Sequence, residues 1–146
     1  MKTSLGSALL MLALVLLGIC RVEATQGQRV SEQTILDKDL KLVDFEDLTY
    51  PVPARAAHIQ GVVVIRAALN DEGKVVDAVA ISGSDVLIPA SIENAKRWRF
   101  QPNSERAAII VYNFRLTDAL SKSGCSHFVI QAPNFATITS CLPTVQ

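Results

Sequence analysis

The clearest hydrophobic pattern in the chain is a pair of β-branched runs, residues 61–69 and 74–81, separated by a short loop of Asn, Asp, Glu and Gly. Two such runs joined by a polar loop predict a β-hairpin. Gly73, the last residue of the loop, can adopt the positive φ that this kind of turn requires. Alternation along the first run predicts one shared face made of Val63, Ile65, Ala67 and Leu69.

After this hairpin the apolar spacing becomes helical, which predicts a helix that starts near Ile88 and stops near Arg99. Trp98 and Phe100 flank its end and are expected in the core, where each would contribute roughly 2–3 kcal/mol. The alternative is that the two rings form an exposed aromatic binding platform. A third strand is predicted over residues 107–116. Its two faces would carry Val111, Asn113 and Arg115 on one side, and Ile110, Tyr112, Phe114 and Leu116 on the other.

Two further elements are predicted at either end of this region. A short helix is expected over residues 54–59, because Pro51 and Pro53 suit a first helical turn, where a missing N–H costs nothing. Residues 125–141 predict a second hairpin, with residues 132–134 as its turn.

The N-terminus has the features of a secretory signal. Residues 5–20 are nearly all apolar and uncharged, and this stretch is shorter than the about 20 residues of a membrane span. Cleavage is expected after Ala24, so that the mature chain would be periplasmic or secreted. Retention of the segment as a membrane anchor and lipidation at Cys20 are the alternatives.

The second hairpin contains two cysteines, Cys125 and Cys141, and an even pair in an exported chain predicts a disulfide. Both are eight residues from Pro133. A three-residue turn centred on this proline would place them directly opposite each other, at a non-hydrogen-bonded position with the short Cα separation that a disulfide needs. The same register predicts three opposed pairs: Gln131 with Phe135, Val129 with Thr137, and His127 with Thr139.

The composition gives little support to an enzyme or a nucleic-acid-binding protein. The chain has 14 basic and 14 acidic residues, and it contains no recognisable nucleophile arrangement or phosphate-binding loop. No catalytic residue, cofactor or metal site is predicted. A metal site or a reactive thiol built from Cys125, His127 and Cys141 remains the alternative to the disulfide. A basic cluster either complements a helix dipole or faces an acidic partner; it consists of Lys96, Arg97, Arg99, Arg106 and Arg115.

The order of several short motifs resembles the TonB C-terminal domain family. These motifs are Tyr50-Pro51, Ala54-Arg55, Gln60 to Val64, Gly73 to Ala78, Ser82-Gly83 and Trp98 to Pro102. They cover about residues 48–117, roughly half of the chain. No single motif is diagnostic, whereas the ordered set is quite specific.

This resemblance implies an α+β fold in which two helices lie on one face of a three-stranded antiparallel sheet, in the order helix, hairpin, helix, strand. The C-terminal hairpin would be an addition to that fold. The resemblance also implies a periplasmic protein-binding module whose last strand pairs with an extended segment of an outer-membrane transporter. Carried onto this chain, the partner-binding residues are Tyr50, Pro51, Ala107, Ile109, Val111, Asn113 and Arg115.

The predicted organisation is a signal peptide (1–24), a leader (25–47), a TonB-like domain (48–117) and a hairpin extension (118–146). Energy transducers of the family have a membrane helix with a functional histidine, followed by a proline-rich spacer. Residues 5–20 contain no histidine and residues 25–49 no proline, which leaves energy transduction open. The alternative is a free-standing envelope module, structural or ligand-binding, whose own hairpin covers the last strand. Membrane association would require the N-terminal segment to be retained.

Overall fold

The computed structural model describes residues 39–118 and 125–143. The predicted signal peptide, residues 25–38 of the predicted leader, and Cys20 lie outside these described residues. The elements in chain order are β1 (Leu42–Asp44), α1 (Val52–Ala56), β2 (Gly61–Leu69), β3 (Val75–Ser82), α2 (Ile88–Ala95), β4 (Arg99–Phe100), β5 (Ala107–Thr117), β6 (Ser126–Ala132) and β7 (Phe135–Cys141).

A five-stranded mixed sheet in the order β3-β2-β5-β7-β6 dominates the described chain. All its neighbours are antiparallel except β5 and β7, which run parallel with Val111 opposite Phe135. The prediction of a three-stranded antiparallel sheet is therefore wrong. The second hairpin does not stand apart but continues the sheet, because β7 lies against the outer edge of β5. Hydrophobic alternation is the same for a separate hairpin and for one joined to a sheet, so it could not reveal this pairing.

The first hairpin forms as predicted. Its turn is held by Asn70, whose Oδ1 accepts hydrogen bonds from the N–H groups of Glu72 at 3.0 Å and Lys74 at 2.9 Å. Gly73 has a φ of 76°, and a Cβ at this position would lie 1.8 Å from the carbonyl oxygen of Phe100. Both the backbone conformation and this close approach therefore require glycine.

The core lies on one face of the sheet, and α2 packs over β2 and β3 on that side. The four predicted inward residues of β2 are all buried, and so are Trp98 and Phe100, which confirms the core interpretation and excludes the exposed platform. Trp98 is 1% exposed. Its ring lies about 6 Å from three other aromatic rings, those of Phe45, Phe100 and Tyr112 (6.1, 5.9 and 5.8 Å).

The end of the predicted leader belongs to this core. Leu40 is 4% exposed and packs in the central cluster. β1 pairs with β4, which places Leu42 opposite Phe100. Farther along, the carbonyl of Glu46 accepts a hydrogen bond from Asn94 Nδ2 at 2.8 Å. The segment 40–46 is thus tied to the region around α2 and β4.

Helix α1 is displaced toward the N-terminus from its predicted range, and helix α2 ends earlier than predicted. α1 begins at Val52 and ends at Ala56, whereas the predicted helix covered 54–59. α2 ends at Ala95, and the chain then turns, with the N–H of Trp98 donating to the carbonyl of Ala95. Within the described residues, no helix has the length and hydrophobicity needed to cross a bilayer.

Candidate partner-binding edge

The partner-binding edge predicted from the resemblance is the side of β5 that faces away from β2. The N–H of Val111 donates to the carbonyl of Asn134 at 2.8 Å, and the carbonyl of Thr117 accepts from the N–H of Leu142 at 2.9 Å. Since backbone groups alternate in direction along a strand, the odd-numbered residues of β5 point their N–H and C=O groups toward β7. The predicted contact residues Ile109, Val111, Asn113 and Arg115 are all members of this set.

Side chains complete the pairing where β7 does not reach. The carbonyl of Ala107 accepts a hydrogen bond from Asn103 Nδ2 at 2.8 Å. The carbonyl of Ile109 accepts one from Asn134 Nδ2, also at 2.8 Å. The edge of β5 is thus occupied along its length by β7 and two asparagine side chains, and the expectation of an open accepting edge at 107–116 is not met in this structure. The chain itself provides the neighbouring strand.

The other two predicted contact residues, Tyr50 and Pro51, lie directly before α1. Tyr50 is 3% exposed, its hydroxyl donates to the carbonyl of Ile59 at 2.5 Å, and its ring packs edge-on against Phe114 at 5.4 Å. Burial also raises the pKa of Tyr50. Pro51 precedes α1, and its carbonyl accepts from the N–H of Arg55 at 2.9 Å. Tyr50 therefore anchors the start of the first helix to the core, and Pro51 accepts the first hydrogen bond of that helix.

The predicted disulfide is present, since Cys125 and Cys141 are bonded with a Cα separation of 4.9 Å. The alternatives of a metal site or a reactive thiol at these cysteines are thereby excluded. No group of three potential metal-ligating side chains occurs in the part of the chain that the structure describes.

The predicted register of this hairpin is only partly right. Val129 faces Thr137 and His127 faces Thr139 as expected, but a bulge near Ile130 brings Ala132, rather than Gln131, opposite Phe135. The N–H of Cys141 also donates to the carbonyl of Cys125 at 3.0 Å. The pair therefore occupies a hydrogen-bonded position, not the non-hydrogen-bonded position that was predicted.

Removal of the disulfide should weaken the hairpin measurably. The bond closes a loop with a sequence separation of 16, so we expect the Cys125→Ala/Cys141→Ala double variant to lose about 3 kcal/mol of unfolding free energy. Urea unfolding followed by circular dichroism measures this loss, and the reduced parent chain should match the variant. Two titratable thiols in the denatured, unreduced parent, or an unchanged midpoint, would contradict the expectation.

A group of buried side chains hydrogen-bonded to Asn94 lies between α2 and the sheet, and the sequence analysis did not predict it. Asn94 Oδ1 accepts hydrogen bonds from Trp98 Nε1 and from the hydroxyl of Tyr112, both at 2.9 Å, while its Nδ2 donates to Glu46. Burial raises the pKa of Tyr112 far above its usual value, so the hydroxyl remains a protonated donor. An asparagine in a helix gives no sequence signal for this role, because its partners are 4, 18 and 48 residues away.

Three of the five basic residues in the predicted cluster form ion pairs with acids of the same chain. Lys96 lies 3.7 Å from Glu93 and Arg97 lies 2.7 Å from Glu46, and Arg106 pairs with Asp71. These contacts are exposed, so each contributes little to stability. They supply intramolecular acidic partners for most of the cluster, which weakens the case for an acidic protein partner there.

A comparison with protein-family models gave a match for part of the chain. Residues 46–116 match the family model described as the Gram-negative bacterial TonB protein C-terminal. No curated protein shows significant similarity to the chain. The matched segment runs from the end of the leader through α1, β2, β3, α2 and β4 to β5, and it stops before the hairpin β6–β7. The chain therefore carries a domain of the TonB C-terminal family, extended by a C-terminal hairpin that pairs with the last strand of that domain.

Proposed function

We propose that this chain is an exported, non-enzymatic protein-binding module of the cell envelope that does not transduce energy. The observation that carries the proposal is the parallel pairing of β7 with β5, which fills the edge where the family resemblance implies a transporter segment. The disulfide supports export, because such bonds persist in oxidising compartments. Cleavage after Ala24 would release the mature chain into the periplasm.

The contacts of β7 argue that the hairpin stays in place. Ala136 and Ile138 are fully buried in the core, and burial of an isoleucine side chain alone is worth roughly 1.5–3 kcal/mol. A partner strand that replaced β7 would have to restore this burial and the hydrogen bonds to Val111 and Thr117. Therefore we favour a module closed by its own hairpin over one that opens β5 to a transporter.

A disulfide between β5 and β7 tests this proposal directly. Asn113 and Thr137 are opposed in the parallel register, and both side chains are half-buried on the sheet face without helices. Asn113→Cys/Thr137→Cys would fasten β7 to β5, with Asn113→Ala/Thr137→Ala as the matched control. We expect tagged versions of both variants, isolated from the envelope after cross-linking, to retain the same bound proteins as the parent chain.

Loss of a bound protein in the fastened variant would contradict the proposal. If the fastened variant loses a protein that the alanine control still binds, the partner must displace β7, and β5 is the binding edge after all. Deletion of residues 118–146 provides a second comparison, since it exposes β5. A gain of binding in the deleted chain, together with a loss in the fastened chain, would overturn the proposal.

A further inference from the structure

Among the described residues, no strand pairs with the backbone groups on the outer edge of β6, because β6 ends the sheet and its backbone pairs only with β7. The hydrogen bond from Cys141 to Cys125 fixes which groups these are. In an antiparallel pair, hydrogen-bonded positions alternate with positions whose N–H and C=O groups point outward. Since Cys125 is at a hydrogen-bonded position, Ser126, Phe128 and Ile130 direct their backbone groups away from β7.

We propose that this edge accepts an extended segment of a partner protein, with apolar side chains at alternate positions. The proposal rests on the proposed function: because β7 occupies the edge of β5, the outer edge of β6 is the surface that would bind the partner protein. Unpaired backbone groups along a strand are complementary to another strand. The ladder from Ser126 to Ile130 has no register shift until the bulge beyond Ile130, so it offers an uninterrupted stretch for pairing.

The side chains beside this edge indicate the chemistry of the partner. Phe128 and Ile130 are half-buried on the core side of β6. The ring of Phe45 stacks on that of Phe128, with centroids 5.9 Å apart, and Phe45 as a whole residue is 43% exposed. Residues directly opposite each other on adjacent strands have Cβ atoms about 5 Å apart. An added strand would therefore place every second side chain next to this apolar group, where aromatic or branched residues fit best.

The other face of the added strand would meet a different surface. Val129 and Gln131 are exposed there, and Gln131 Oε1 accepts a hydrogen bond from the hydroxyl of Thr137 at 2.8 Å. Polar side chains are compatible with this mixed surface. The expected segment therefore alternates apolar and polar residues over about five positions, the length of the unshifted ladder.

The opposite edge of the sheet, β3, is less suited to strand addition. Its register with β2 shifts at two places, between Val64 and Ile65 and between Ala68 and Leu69. Such bulges bend a strand, increase its twist and interrupt its pairing. The backbone amides of β3 therefore serve as the internal control for those of β6 in the hydrogen-exchange experiment below.

A displayed library of random decapeptides, selected on the full mature chain with its disulfide intact, tests the proposal. We expect the selected peptides to alternate apolar and polar residues. Ser126→Pro removes one outward N–H at the first residue of β6, a position where proline is tolerated. It should weaken binding about tenfold, as expected for the loss of one hydrogen bond, whereas Ser126→Ala should leave binding unchanged. Phe45→Ala should remove the preference for aromatic residues in a repeated selection.

Amide hydrogen exchange on the parent chain with a selected peptide locates the binding edge. Slower exchange at Ser126, Phe128 and Ile130 supports the proposal. Failure to select any binder, slower exchange along β3 instead, or equal affinity for a folded Ser126→Pro variant would overturn it. Faster exchange at Val111 and Asn113 would show that β7 is displaced, and that result would overturn the proposed function itself.

Discussion

Replacing Trp98 with alanine is expected to lower the free energy of unfolding by about 3–5 kcal/mol, the range for a large buried aromatic side chain. The indole is almost completely buried, and the rings of Phe45, Phe100 and Tyr112 surround it. The variant would therefore have a cavity at the point where the leader, β4 and β5 meet. Trp98 is the single tryptophan of the chain, so unfolding in urea should be followed by far-ultraviolet circular dichroism and not by fluorescence.

Trp98→Phe serves as the matched control for this cavity. A phenyl ring fills much of the same space, and Asn94 would keep Tyr112 as a donor to its Oδ1, so we expect a loss of only about 1–2 kcal/mol. If alanine and phenylalanine gave equal midpoints, packing of the indole would not be what stabilises this region. An unchanged midpoint in Trp98→Ala would contradict the burial of the side chain.

Loss of the side chain of Asn94 is expected to cost a similar amount for a different reason. Asn94→Ala would leave Trp98 Nε1 and the hydroxyl of Tyr112 buried without their acceptor. A buried donor without a partner costs about 1–3 kcal/mol, so we expect a total loss of about 2–6 kcal/mol. The same urea experiment measures it, with tryptophan fluorescence as a second signal.

Ser91→Ala is the matched control on the same helix. Ser91 is also buried, but its hydroxyl only donates to the carbonyl of Leu87 one turn earlier, at 2.9 Å, so we expect a loss below about 1 kcal/mol. Combining Asn94→Ala with Tyr112→Phe should cost less than the sum of the two single changes, because the second removes a donor that the first left without a partner. Strictly additive losses would show that Asn94 and Tyr112 do not form the bond described.

The position of the hairpin changes how the family resemblance applies to this chain. The match to the TonB C-terminal family ends at Leu116, one residue before β5 ends. Residues beyond the matched segment supply β7, which lies parallel to β5 and meets its outward backbone groups. A binding role cannot be transferred from the family to a residue of this chain without its structural surroundings. The same strand is an accepting edge when its neighbour is absent, and an interior strand when the neighbour is present.

The amino-acid sequence by itself determined the local elements and the direction of most side chains. Alternation in β2 placed the correct residues in the core, alternation in β5 divided its residues between two faces, and Gly73 marked the turn between β2 and β3. The even pair of cysteines predicted the disulfide, and the equal distances of Cys125 and Cys141 from Pro133 predicted that the two lie opposite each other. These features could be predicted because each depends on residues close together in the chain, where strand periodicity and turn chemistry act directly.

Only the tertiary structure decided which edges of the sheet are paired and which polar groups meet. The contacts of Asn134 with Ile109 and of Phe45 with Phe128 join residues 25 and 83 positions apart, and no local pattern contains them. Nor does alternation specify whether β7 lies beside β5 or away from it, since both arrangements bury Ala136 and Ile138 on the same face. Strand order follows from the total burial and hydrogen bonding of the assembled sheet. This is why the element types and inward faces followed from the sequence, whereas the closure of β5 and the exposure of β6 did not.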